Sequence, residues 1–387
     1  MPGRVCLDGR SLGLRDGTGV ASYAASLAAH MPGAGWDVDV LQDGGPPHGR
    51  AHRWLAAAWP GASYASPTPA PPGFGRAWTA PGVFRRAQVF FDIHRRMMPV
   101  AAAGGPDLVH WTYPLPLWMQ GARNIYTIYD LIPLLHPALT PIPPARFGRI
   151  LRAVMRRADH IVTISEAARA DIVRLLDVDP SRVTNAYVPV DVSGAGPGRR
   201  TGHFLVCGTI EPRKNIARLL AAYRSSGART PLVLAGPDGW HAAEELAGTD
   251  IRPLDAMPEN AEGGVWRAPW LPRPALLALM RDARAVLFPS LAEGFGLPVA
   301  EAMALGVPVL TSHGHATEEV AGGAALLVDP RDGAGLAAAI AALDRDADLR
   351  GRLRAAGLVR AGAFSAAACA ARMAGVYASN GGASRRF

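Results

Sequence analysis

Apolar positions along this chain fall into short, nearly unbroken runs separated by amphipathic stretches. In the first half, Arg4-Val-Cys-Leu7, Asp37-Val-Asp-Val-Leu41, Leu108-Val-His-Trp111, Asn124-Ile-Tyr-Thr-Ile128 and His160-Ile-Val-Thr-Ile164 read as strands. Residues 20–30, 145–157 and 166–176 carry the period of a helix. A strand covered on both faces is apolar throughout, so this alternation predicts parallel sheets in an α/β architecture. Residues 44–82, rich in Pro, Gly and Ala, predict irregular surface loops. A second series of strands follows in Phe204-Leu-Val-Cys207, Leu232-Val-Leu-Ala235, Ala285-Val-Leu-Phe288, Val307-Pro-Val-Leu310 and Ala325-Leu-Leu-Val328. The alanine-rich stretch 334–378 then reads as helical. Between the two series, Ser193-Gly-Ala-Gly-Pro-Gly-Arg-Arg-Thr-Gly202 has the composition of a hinge. The expected fold is therefore two doubly wound, Rossmann-like domains facing a cleft, residues 1–192 and 203–363. A C-terminal helix, about 364–387, is expected to pack back on the first domain.

Composition narrows the function less than the fold. The 387 residues carry a formal charge of +8, which favours an anionic partner. Nucleic acid, an acidic membrane surface and a nucleotide-sugar all qualify. Cys6, Cys207 and Cys369 show no metal or disulfide spacing, so a reducing, cytoplasmic setting is expected. The sequence shows no signal-peptide pattern and no apolar stretch of spanning length, so any membrane contact would be peripheral.

Lys214 is the only lysine in a chain otherwise drifted to arginine. It sits in Gly208-Thr-Ile-Glu-Pro-Arg-Lys-Asn215, directly after an expected buried strand. Glu293-Gly-Phe-Gly-Leu-Pro-Val-Ala-Glu301 follows another such strand. Its glycines permit close approach of a ligand, and Pro298 suits a first helical turn. Amides at that helix start attract phosphate, the two carboxylates suit sugar and ribose hydroxyls, and Arg213 with Lys214 suits a diphosphate.

These segments resemble the retaining GT-B glycosyltransferases of family four. The resemblance extends to Asp8-Gly-Arg, Gly17-Thr-Gly19-Val, Tyr129-Asp-Leu-Ile-Pro133, the segment 158–166 and Thr317-Glu-Glu-Val-Ala-Gly-Gly-Ala-Ala-Leu-Leu-Val-Asp-Pro330. It implies a hexosyltransferase, mannosyltransferase-like, using GDP-mannose to build polysaccharide or glycolipid. It implies donor contacts from Gly208, Thr209, Phe295, Gly296, Leu297 and Glu301. Arg213 and Lys214 would stabilise the leaving diphosphate, and Glu293 would hold the sugar hydroxyls. Gly17, Gly19 and Asp130 fall on the acceptor side. The family needs neither metal nor cofactor. Its substrates are the nucleotide-sugar and a glycan or lipid-linked acceptor, and nucleic acid is not among its partners.

Two positions depart from the family. Thr209 stands where many relatives have arginine, and Tyr129 stands where others have histidine, so no side-chain acid–base catalyst is expected there. Retention would then proceed by same-face attack, with the leaving phosphate taking the proton. Asp130 stays open between an acceptor contact and a strand-end cap, and His136, His313 and His315 lack a metal-binding pattern. Arg146, Arg149, Arg152, Arg156 and Arg157 recur near helical spacing, and Arg85, Arg86, Arg95 and Arg96 bracket Val89-Phe-Phe91 and Ile93. Both stay open between a membrane surface at the inner face and a solvated basic face. Three other readings compete: transfer from a UDP-sugar, a pyridoxal phosphate enzyme using Lys214, and a basic nucleic-acid-binding protein.

Overall fold

The computed structural model describes residues 3–12, 19–44, 60–196, 202–258 and 260–380. The chain divides into two compact units, and both are mixed α/β. The first takes Met1–Leu134, Pro143–Pro189 and Ala366–Phe387; the second takes Leu135–Ile142 and Val190–Ser365.

In the first unit the strands are β1 (Gly3–Asp8), β2 (Trp36–Gln42), β3 (Ser63–Thr68), β4 (Ala77–Thr79) and β5 (Met98–Ala102). They are followed by β6 (Leu108–Trp111), β7 (Leu117–Met119), β8 (Arg123–Thr127), β9 (His160–Thr163) and β10 (Val183–Asn185). They form one sheet in the order β10-β9-β8-β6-β1-β2-β4-β3-β5-β7. β1 pairs parallel with β2 on one side and β6 on the other, so the winding reverses there. The helix Ala366–Asn380 belongs to this unit. Its Tyr377 hydroxyl lies 2.6 Å from His110 Nδ1 in β6, and Thr127 Oγ1 lies 2.7 Å from His110 Nε2. Burial holds that imidazole neutral, with a pKa near 3, so the three groups form a closed polar contact inside the core.

The second unit contains β11 (Phe204–Cys207), β12 (Leu232–Ala235), β13 (Ile251–Pro253) and β14 (Val265–Ala268). It continues with β15 (Ala285–Phe288), β16 (Val309–Ser312) and β17 (Leu326–Val328). These pair parallel throughout, in the order β13-β14-β12-β11-β15-β16-β17. All residues of β11, β12, β15 and β16 are buried; the first three are continuous apolar runs for that reason, and the hydroxyls of Thr311 and Ser312 in β16 are satisfied by Phe288 O and Ser290 O.

Several sequence expectations are corrected. Residues 60–82 are not wholly irregular: β3 pairs antiparallel with β4, and Ser63, Tyr64, Ala65 and Ser66 alternate buried and exposed. Small residues on a half-buried strand masked that period-two signal. The expected loop at 45–59, and positions 197–201 of the hinge, lie outside the described residues. β16 starts two residues later than expected, because Pro308 has no N–H to give the ladder; its carbonyl accepts from Val286 N at 2.9 Å. The alanine-rich stretch breaks into Gly333–Arg345, Ala347–Ala361 and Ala366–Asn380. Asp346 makes the first break by accepting Leu349 N at 2.8 Å as a helix cap. Ser365, in extended geometry, makes the second.

Candidate functional site

In the second unit, β11 and β15 are adjacent, and the order of connection reverses between them. In a doubly wound sheet the crevice beyond the strand C-termini at such a point is where ligands bind. The segments that emerge there are 208–215 after β11 and 289–296 after β15.

These two segments are fastened to each other. Leu291 N donates to Arg213 O at 2.8 Å, and the Arg213 guanidinium donates to Ala292 O at 3.2 Å. Asn215, in the left-handed region at φ 61°, sends its side-chain amide to Pro289 O at 3.1 Å and Pro330 O at 2.7 Å. Lys214 thus projects from a short 3₁₀ turn, Pro212–Lys214, held at both ends. Its Nζ is 2.6 Å from Glu293 Oε1 and 4.4 Å from the centre of the Phe288 ring. Arg213 reaches the other oxygen, Glu293 Oε2, at 2.6 Å, and also Glu211 Oε1 at 2.6 Å.

This is a buried charge network. Only 10% of the Glu293 side chain and 12% of Lys214 are exposed, so an unpaired member would be costly. Burial works to raise the Glu293 pKa, but Lys214 and Arg213 overcome it and hold the carboxyl down near 2. Burial also pulls Lys214 down, and Glu293 opposes that pull. Glu211, Arg213, Lys214 and Glu293 have formal charges that cancel, so a diphosphate arriving here would share cations that already have partners.

Gly208 has φ 127°, a conformation that L side chains rarely adopt, and a Cβ there would lie 3.5 Å from Lys214 Cε, in ordinary contact. Thr209 follows, half-buried. Gly296, at φ 92°, caps the helix Leu297–Ala304; a Cβ on it would lie 2.7 Å from Thr317 Cγ2. Leu297 is the first helical residue and half-buried. The Phe295 ring is buried edge-to-face against Phe364 at 5.4 Å, so its side chain belongs to the core, and any donor contact there comes from backbone. Glu301 lies one turn into the helix and is 2% exposed; burial raises its pKa despite the Arg273 guanidinium 2.5 Å away. Glu293 and Glu301 therefore sit in opposite electrostatic settings, the first held ionised and the second pushed towards protonation.

Arg273, Asn215 and Gly236 were not singled out from the sequence. Arg273 is one arginine among many. Asn215 had a legible signal, a polar residue capable of positive φ beside the lysine. Gly236 follows β12, and a Cβ there would meet Gly208 O at 2.1 Å. The Gly-Pro that ends that strand was the available sign.

In the first unit, Asp130 Oδ1 accepts Ile132 N at 3.0 Å, a capping bond to the short helix Ile132–Leu135. Gly19 opens the helix Gly19–His30, and an added Cβ would meet nothing within 4 Å, so steric need does not explain it. Gly17 lies outside the described residues. At the end of β1, Asp8 is fully buried and accepts Thr112 Oγ1 at 2.8 Å; burial raises its pKa. Tyr129 donates to Thr112 O at 2.8 Å.

The arginine-rich helices keep their apolar faces inside. Phe147, Ile150, Leu151 and Val154 of Pro144–Met155 are buried, as are Phe90 and Phe91 of Val83–His94. These buried side chains are not available for insertion into a membrane, while Ile93, Arg85, Arg95, Arg96, Arg149, Arg152, Arg156 and Arg157 remain exposed. Arg86 is half-buried and Arg146 pairs with Asp92 at 3.0 Å. Among the described residues no helix is long and apolar enough to cross a membrane, and no three His, Cys, Asp or Glu side chains are grouped to hold a metal.

Comparison with known proteins places this geometry. The profile described as "Glycosyltransferase Family 4" matches residues 17–193, and that described as "Glycosyl transferases group 1" matches residues 201–346. The chain is 31% identical over 273 residues to the O-antigen chain mannosyltransferase B of Escherichia coli, covering 66% of this chain and 70% of that one. It is 26% identical to the O-antigen chain mannosyltransferase RfbU of Salmonella typhimurium, spanning 58% of this chain and 60% of that one. A solved sucrose-phosphate synthase from Thermosynechococcus elongatus superposes with a TM-score of 0.68 at 19% identity, over 97% of this chain and 98% of that one. Anabaena HepE in complex with UDP-glucose gives 0.64 at 14%, over 98% and 100%. These structural likenesses establish the GT-B fold.

Proposed function

We propose that this chain, which belongs to glycosyltransferase family 4 of the group 1 glycosyl transferases, moves mannose from GDP-mannose to a glycan or lipid-linked saccharide. The observation that carries the reading is the network of Lys214, Arg213 and Glu293 at the reversal point of the second sheet. The mannose assignment draws its support from the O-antigen mannosyltransferases it resembles.

In this reading the donor diphosphate lies against the start of the helix Leu297–Ala304, where backbone amides and the helix dipole favour negative charge. Arg213 and Lys214 turn part of their hydrogen bonding from Glu293 to the phosphate oxygens. Glu293, still ionised, then accepts hydroxyls of the transferred sugar, and Glu301 accepts those of the ribose. As the bond from the anomeric carbon to the phosphate oxygen breaks, charge builds on that oxygen, and the two cations stabilise it. The acceptor oxygen bonds to the anomeric carbon from the same face, and its proton passes to the leaving phosphate. In this reading no metal is called for, because the two cations, once turned from Glu293, and the helix start together meet the diphosphate. Its setting is cytoplasmic, with any contact to an anionic inner face made by the exposed arginines.

A second reading is transfer from a UDP-sugar, favoured by the likeness of fold to a protein solved with UDP-glucose. Incubation with GDP- and UDP-sugars and a mannan-type acceptor separates the two. Transfer from GDP-mannose with an α-linked product supports the proposal; transfer from a UDP-sugar alone replaces the donor, and an inverted product removes the retaining mechanism.

A further inference from the structure

We infer that the N-terminal ends of β15 and β16, opposite the donor loops, hold a second anion site, one for a compact phosphate-bearing ligand. The residues entering β15 and β16, together with the first turns of the helix Ala347–Ala361, line an open cavity of about 650 Å³. Arg281, Arg284, Arg350 and Arg354 line it, and Asp282 is the one carboxylate among the lining residues. Four-residue strands separate these strand starts from the donor loops, roughly 13 Å at the usual strand rise, so the two sites cannot be one.

The charges around the cavity leave a positive excess: Arg281 has Asp282 at 3.7 Å, while Arg350 and Arg354 have no carboxylate partner among the described residues. Asp344 pairs with Arg284 at 3.4 Å, but the same carboxylate already accepts Thr230 Oγ1 at 2.5 Å and Arg229 N at 3.0 Å. Arg284 and Arg350 converge on one uncharged acceptor, the Asp344 carbonyl, at 2.9 and 3.1 Å. Burial first, and then the charge of Arg284, lowers the Arg350 pKa, with Asp344 and Asp346 opposing them only in part. Among the described residues, neither Arg350 nor Arg354 takes part in an ion pair. Holding like charges this close is unfavourable unless an anion joins them.

The shape suits such an anion. Gly351 faces the cavity without a side chain, and Gly306, at φ 68°, closes the preceding helix beside Arg354. Converging guanidinium forks match the several oxygens of a phosphomonoester or diphosphate, and a singly charged carboxylate would leave the excess unmet. Free phosphate esters and phospholipid headgroups share this chemistry. The inference does not depend on the donor assignment.

Inorganic pyrophosphate titrated calorimetrically into the Arg213→Ala/Lys214→Ala chain, which lacks the donor-side cations, tests it. One saturable event is expected. Adding Arg350→Gln and Arg354→Gln should weaken it about a hundredfold, about tenfold per guanidinium. Because Arg350 also holds two carbonyls, Arg354→Gln alone is measured beside it, with about tenfold expected. Donor turnover in that single variant, with the donor cations intact, should be unchanged, which separates failure of this site from failure of the donor reading. Sedimentation with phosphatidylglycerol vesicles, lost on the same substitutions, would assign the phosphate to a headgroup; pyrophosphate binding without sedimentation would assign it to a soluble ester. Affinity unmoved by the arginine substitutions, or no saturable binding to either probe, would overturn the site.

Discussion

Lys214 and Glu293, 79 residues apart in sequence, meet at 2.6 Å where β11 and β15 end side by side. The contact joins the lone lysine to the first of the paired glutamates and sets what each can do. Removing the lysine leaves Glu293 with Arg213 as its remaining cation. Lys214→Ala is therefore expected to lower kcat about 10²- to 10³-fold, the usual scale for losing one electrostatic stabiliser. Steady-state kinetics beside thermal melting would check this; a rate within twofold of the parent chain would contradict it.

Lys214→Arg keeps the charge but not the compact ammonium that fits along Gly208 and over the Phe288 ring. Turnover should recover only partly relative to Lys214→Ala. Full recovery would mean that charge alone matters at this position.

The Glu293 pairing also predicts a pH dependence of stability. Its folded pKa, near 2, lies below the ordinary 4.5, so the unfolded state binds the proton more readily. The pairing contributes fully above about pH 5 and fades as pH falls from there towards 2. Melting temperature should drop across that window in the parent chain and more shallowly in Glu293→Gln. Parallel curves for the two proteins would count against an ionised, paired Glu293.

Glu301 and Arg273 offer a different test. Glu301→Gln keeps the shape and removes a charge that burial already disfavours, so folding should change by less than about 1 kcal/mol while nucleotide affinity falls. Arg273→Ala leaves a buried carboxylate without its partner and should cost more stability, on the order of 2–3 kcal/mol. Chemical denaturation would rank them, and the reverse order would refute the assignment of Arg273 as the holder of Glu301.

Gly236→Ala should be among the most damaging small substitutions. Its Cβ would lie 2.1 Å from Gly208 O, and φ of 150° is foreign to alanine, so a loss of at least about 3 kcal/mol is expected. A well-folded, active Gly236→Ala chain would show that the two strand ends need not touch.

Much of this was legible in the sequence because a buried parallel strand leaves a plain record. Phe204–Cys207, Leu232–Ala235 and Ala285–Phe288 are unbroken apolar runs, and their bounds match the structure. Half-buried strands left less: Ser63–Thr68 mixes small, polar and proline residues, and Ile251–Pro253 is largely exposed. The glutamates, Lys214 and Gly296 could be found locally, because turn chemistry and charge stand out against alanine. Arg273 could not, since its role depends on a helix 28 residues away folding over it. Nor did composition reveal that residues 135–142 leave the first unit for the second.

The central claim is that Lys214 and Arg213 take up the charge of a departing nucleoside diphosphate. Release of GDP from GDP-mannose, followed in the parent chain, Lys214→Ala and Arg213→Ala, tests it most directly. The account predicts release that collapses in both variants while nucleotide binding through Glu301 persists. Equal release from all three proteins would contradict it.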